Sequence, residues 1–133
     1  MGQGMLIDKE YNWRGKTILI AEDEEINYLF IERVLMSTNA TLVRADNGQN
    51  AIDIVNSNPN IELILMDIRM PNVNGIEATE AIKKIRPQLP VIAQTCYEKD
   101  LILEDYPQAH FEQFIDIDWL ADETVEMCLW VIF

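Results

Sequence analysis

Two short apolar runs decide most of what this chain can fold into. Residues 17–21 (TILIA) and 61–66 (IELILM) are dominated by apolar, often β-branched side chains, and each ends in acid. Glu22 and Asp23 follow the first, and Asp67 follows the second. A run this short with little polar alternation marks a strand covered on both faces, as strands are in a parallel sheet between two helical layers.

The segments between such runs carry a helical period. Residues 25–37 place Ile26, Leu29, Phe30, Arg33, Val34 and Leu35 along a helix, with Asp23 or Glu24 near its N-cap. Residues 41–44 form a short strand, and 48–56 a helix with Ala51, Ile52 and Val55 inward. Residues 75–85 set Ile76, Thr79, Ile82 and Ile85 on one stripe, stopped by Pro87. Residues 91–93 read as a fourth strand, 114–117 as a fifth, and 121–133 as a last helix. Between them the pattern weakens, with a short helix near 101–103 interrupted by Pro107. Five strands alternating with helices over short connections predict a parallel α/β sheet.

At 133 residues the chain suits one domain with one sheet. We read residues 1–15 as an extension or linker and 16–133 as the domain. The 23 acids against 10 Lys and Arg give a formal net charge of −13, which repels nucleic acid and anionic lipid. The first 14 residues carry charges and no sustained apolar run, so neither a secretory leader nor a membrane span is expected there. Cys96 and Cys128 lack metal-site spacing and read as reduced thiols of a cytoplasmic protein.

In an open α/β sheet, ligands bind beyond the carboxyl ends of the strands, where strand order reverses. Glu22, Asp23 and Asp67 collect at those ends, and Thr95 ends the fourth strand. Each pair of carboxylates about 4 Å apart repels by roughly 4 kcal/mol at an effective dielectric near 20. Such a cluster calls for a cation, and oxygen ligands with room for water suit Mg²⁺ better than zinc. Helix capping explains Glu22 or Asp23 alone about equally well; it explains the whole set less well.

Three motifs give the chain a resemblance. Residues 18–27 (ILIAEDEEIN) look like the first strand and acidic pair of response-regulator receiver domains, especially those attached to hybrid sensor kinases. Residues 66–75 (MDIRMPNVNG) resemble the phosphoacceptor signature of that family, and 90–95 (PVIAQT) its fourth strand and switch hydroxyl. Asp67 follows Asp23 by 44 residues and Thr95 follows Asp67 by 28, spacings usual for receivers. The resemblance implies a flavodoxin-like (βα)5 doubly wound sheet in order 2-1-3-4-5. It implies a phosphoacceptor rather than an enzyme, with at most slow self-dephosphorylation. Asp67 would take a phosphoryl group from a sensor histidine kinase or histidine phosphotransfer protein. Asp23, Asp67 and the Arg69 backbone carbonyl would hold Mg²⁺, with Glu22 acting through water. Thr95 would be the switch hydroxyl and Phe114 the switch aromatic, although plain core packing serves Phe114 equally well. Pro71 and Gly75 would shape the turn after Asp67.

The chain also departs from the family. Receivers carry Lys then Pro at the end of the fifth strand, 22 residues after the switch hydroxyl, where Ile117 and Asp118 stand here. His110 occupies a position that is usually Gly. One charge-assisted hydrogen bond to a phosphoryl oxygen contributes about 1.5–3 kcal/mol, so its loss weakens coupling without removing the acceptor. The tail, residues 127–133 (MCLWVIF), is apolar on all sides and suggests a partner or a second copy of the chain, as a homodimer through the last strand and helices; the alternatives are a cut within the last helix or the end of a degenerate gene product. Two functions therefore stand at this point: a phosphoaccepting receiver, or a pseudo-receiver that serves as an interaction module without regulated phosphorylation.

Overall fold

A computed structural model describes residues 12–95 and 111–116. The expected helices near 101–103 and at 121–133 lie outside those residues, as do Cys96, His110, Ile117, Asp118, Cys128 and the apolar tail.

Five parallel strands stand in the order β2-β1-β3-β4-β5. They are β1 (Thr17–Ala21), β2 (Thr41–Ala45), β3 (Ile61–Asp67), β4 (Val91–Thr95) and β5 (Gln113–Asp116). Helices α1 (Glu25–Leu35), α2 (Gly48–Ser57) and α3 (Gly75–Ile85) make the crossovers, with a 3-10 turn over Met36–Thr38. β1 and β3 are the central strands, and period-2 alternation divides their side chains between two cores. Leu19, Ala21, Ile64 and Met66 join Ala51 and Val55 of α2 and Ala78 and Ile82 of α3. Ile18, Ile20, Leu63 and Leu65 join Ile31 and Leu35 of α1 on the opposite face. Each fully buried Ile or Leu contributes about 1.5–3 kcal/mol relative to an exposed one.

Trp13, within the stretch read as an extension, is buried in the second core, and its N–H donates to the Thr38 carbonyl at 2.6 Å. The packed unit thus reaches back at least to Trp13. α1 ends two residues earlier than its apolar period suggests. Thr38 Oγ1 donates to the Leu35 carbonyl at 2.6 Å, and Asn39 turns left-handed at φ 67°, a conformation Asn tolerates. Ile26, Leu29 and Phe30 are exposed, so α1 buries one narrow stripe and leaves a second apolar face outward. Ile85, placed on the inward stripe of α3 by its period, is also exposed.

Two side chains secure β5. Lys83 Nζ donates to the Leu89 carbonyl at 2.7 Å and to Glu112 Oε2 at 2.8 Å, while Glu112 Oε1 accepts from the Val91 N–H at 2.6 Å. This holds the entry to β5 beside β4, and β5 begins one residue earlier than the apolar pattern places it.

Candidate functional site

The site lies at the carboxyl ends of β1 and β3, which pair residue for residue from Ile18 opposite Leu63 to Ala21 opposite Met66. One step further, the Glu22 N–H donates to the Ala45 carbonyl at 3.0 Å, extending the sheet and drawing Glu22 inward. Glu22 is fully buried. Its Oε2 accepts from the Glu24 N–H at 3.1 Å, and its Oε1 has no hydrogen-bond partner among the described residues. Asp23 is exposed beside it. Glu24 occupies the N-cap of α1 without any side-chain cap bond, so a capping role does not explain this acid.

Asp67 closes β3. Its Oδ1 accepts from the Arg69 N–H at 3.1 Å, folding the following backbone over the carboxylate. The loop beyond is strained: Asn72 and Val73 hold φ of 56° and 76°, and for β-branched Val73 that region costs about 1–3 kcal/mol. The Gly75 N–H donates to the Ile68 carbonyl at 3.0 Å, and a Cβ on Gly75 would overlap the Asp67 carbonyl. Only glycine permits that approach. A capping box then starts α3: Asn74 Oδ1 accepts from the N–H groups of Ile76 and Glu77, and Glu77 Oε1 accepts from the Asn74 N–H.

Glu22, Asp23 and Asp67 each bring a carboxylate oxygen within 4.8 Å of the others. Burial, then the charge of Glu22, pushes the Asp67 carboxyl up to about 8. Burial likewise raises Glu22 above the usual carboxylate range. Asp67 thus holds its proton at a pH where an isolated carboxylate would be ionised. A divalent cation would replace that proton, and the partnerless Glu22 Oε1 is an oxygen that a hydrated ion would satisfy. The donor set, all oxygen, fits Mg²⁺.

Thr95 is the last residue of β4, on the strand adjoining Asp67, and pairs with Asp116. Phe114 lies in β5 opposite Ala93.

Sequence reasoning missed Arg44. From β2 its Nε and Nη2 each donate to the Glu22 carbonyl at 3.2 Å, and Nη2 reaches the Asp23 carbonyl at 3.5 Å. The guanidinium lies over the Tyr28 ring, 4.7 Å from its centroid. A cation thereby braces the backbone of both acids, and only its place beside the β1–β2 register could have signalled this.

Comparison with known proteins agrees with this geometry. The sequence model of the response regulator receiver domain matches residues 18–127. The autoinducer 1 sensor kinase/phosphatase LuxN of Vibrio campbellii is 34% identical over 84 residues, covering 63% of this chain and 10% of LuxN. The polar-differentiation response regulator DivK of Brucella anthropi is 34% identical over 85 residues, covering 62% of this chain and 68% of DivK. The chain thus spans about a tenth of LuxN but most of DivK. The solved response regulator TrrA of Thermotoga maritima, in complex with Mg²⁺ and BeF, superposes with a TM-score of 0.77 at 26% identity, covering 87% of this chain and 98% of that one.

Proposed function

The chain belongs to the response regulator receiver domain family, and from that premise we propose that it accepts a phosphoryl group on Asp67 with the help of Mg²⁺. The observation that carries the reading is the convergence of Glu22, Asp23 and Asp67 carboxylates within 4.8 Å at adjoining strand ends.

In the proposed step an Asp67 carboxylate oxygen attacks the phosphorus of a phosphohistidine. The P–N bond breaks with its electron pair going to the departing imidazole nitrogen, the ring, already protonated on its other nitrogen, leaves as neutral imidazole, and an acyl phosphate forms on Asp67. Bound Mg²⁺ would neutralise the repulsion between carboxylate nucleophile and anionic donor. Asp23 and Asp67 would ligate it directly, with the Arg69 carbonyl, and Glu22 would act through a bound water. The Arg69 N–H restrains one Asp67 oxygen and leaves the other for attack. Thr95 would receive a phosphoryl oxygen, and Phe114 would follow its movement.

The donor in this reading is a protein, a sensor histidine kinase or histidine phosphotransfer protein. The outward face of α1 supports it, because Ile26, at 82% exposure, begins an apolar strip with Leu29 and Phe30 only three residues beyond Asp23. Transfer of radiolabelled phosphoryl from a phosphorylated histidine phosphotransfer protein tests the proposal. Label is expected on the wild type with Mg²⁺ and absent from Asp67→Asn.

A further inference from the structure

Gln94 is a polar residue in the middle of an apolar sheet. It stands on β4 with 1% of its surface exposed. Its backbone is satisfied, with the carbonyl accepting from the Ile68 N–H at 3.2 Å. Its carboxamide is not: neither Nε2 nor Oε1 has a hydrogen-bond partner among the described residues. Buried polar groups are nearly always paired, and an amide left orphaned at both ends is a considerable cost to the fold. An apolar side chain of similar size would fill the same space without it.

The register explains where this amide can act. Asp67 and Gln94 are partners in the β3–β4 ladder. Partners on neighbouring parallel strands project to the same face, with strand axes about 4.8 Å apart. Leu65 and Ile92, two residues before each, share one core cluster and confirm the common face. Gln94 is therefore the side chain adjoining Asp67 on β4, with a flexible stem and a neutral donor. Being neutral, it adds nothing to the charge of the acidic cluster.

We infer that Gln94 is a phosphoryl-binding residue of this site, its Nε2 donating a hydrogen bond to an oxygen of the group carried by Asp67. The inference rests on the reading of Asp67 as phosphoacceptor. It assigns the orphaned amide a partner that exists only in the modified state, so the cost of burial in the resting state is offset when the phosphoryl group arrives. Sites that break a local packing rule in this way are where function is expected.

The test uses beryllofluoride with Mg²⁺ as the phosphoryl mimic. The side-chain NH₂ resonances of Gln94, assigned by their loss in Gln94→Leu, are expected to shift when the mimic binds the wild-type chain. Gln94→Leu is expected to melt higher than wild type without ligand, by about 4 °C or more, and to bind the mimic about tenfold more weakly. Gln94→Met, unbranched and of equal length, provides the same comparison if the leucine variant does not fold. A merely structural glutamine would give the opposite pattern, a lower melting temperature with unchanged mimic affinity, and that result overturns the inference. Wild type and variant binding equally tightly, with unmoved amide resonances, also overturns it and leaves Asp67 as acceptor intact. A wild type that does not bind the mimic at all removes both readings together.

Discussion

Glu22 and Asp67 face each other as two acids competing for one charge. Glu22 is fully buried, its carboxylate lies within 4.8 Å of that of Asp67, and burial raises both groups, with the charge of Glu22 adding to the rise of Asp67 to about 8. The cation proposed for the site follows from that relationship, because a carboxyl raised by burial and a neighbouring charge is one that a divalent cation can discharge.

The first consequence is a pH dependence. A carboxyl with a raised folded value binds its proton more tightly folded than unfolded. Its stabilisation is complete below the ordinary value of 3.8 and is lost as pH rises through about 8. In EDTA the melting temperature should carry this falling contribution across that window. Mg²⁺ displaces the protons, so its stabilising effect should be larger at about pH 8 than at about pH 6. Melting curves with and without Mg²⁺ check this, and an Mg²⁺ effect independent of pH would show that the pair does not hold protons.

A second expectation concerns the turn beneath Asp67. A methyl group on Gly75 meets the Asp67 carbonyl and the Ile68 backbone, neither of which can move without displacing the carboxylate. Gly75→Ala should cost about 1–3 kcal/mol by overpacking and also lower Mg²⁺ affinity. Denaturant unfolding and Mg²⁺ titration report the two effects separately. Unchanged values for both would mean that the loop relaxes freely.

The outward face of α1 yields a third. Phe30 is 47% exposed, so Phe30→Asp should change stability by no more than about 0.5 kcal/mol. Phosphorylation by a small donor should be preserved, while transfer from a phosphohistidine protein should slow about tenfold if this face docks the donor. Equal rates from the protein donor would assign the face to something else.

The strands were legible because β1 and β3 are buried on both sides and therefore read as unbroken apolar runs. The acidic cluster was legible because Glu22, Asp23 and Asp67 terminate those runs. α1 was less so: its period is apolar on two faces, and a sequence does not say which one the sheet covers. The Lys83–Glu112 brace and the Arg44 contacts join residues 29 and 21–22 positions apart, a distance over which no local pattern speaks. Gln94 was visible in PVIAQT as a polar letter, but its missing partners are a three-dimensional fact.

A fourth expectation addresses Ile117, which follows Asp116 on β5, the ladder partner of Thr95. Ile117 stands where receivers carry Lys, so Ile117→Lys should tighten binding of beryllofluoride with Mg²⁺ by one charged hydrogen bond, about 1.5–3 kcal/mol. Amide shifts around Thr95 and Phe114 should grow accordingly. Equal affinity and equal shifts in both proteins would mean that the donor has been replaced elsewhere, and Gln94 is the residue to examine.

The central claim is that Asp67 is a Mg²⁺-dependent phosphoacceptor, and intact mass tests it most directly. Wild type and Asp67→Asn would each be incubated with acetyl phosphate, once with Mg²⁺ and once with EDTA, and weighed by mass spectrometry. The expected result is a gain of one phosphoryl group on the wild type with Mg²⁺ and on no other sample. A gain that persists in Asp67→Asn would place the acceptor elsewhere. No gain on the wild type with Mg²⁺ would make the chain a receiver fold used for binding alone.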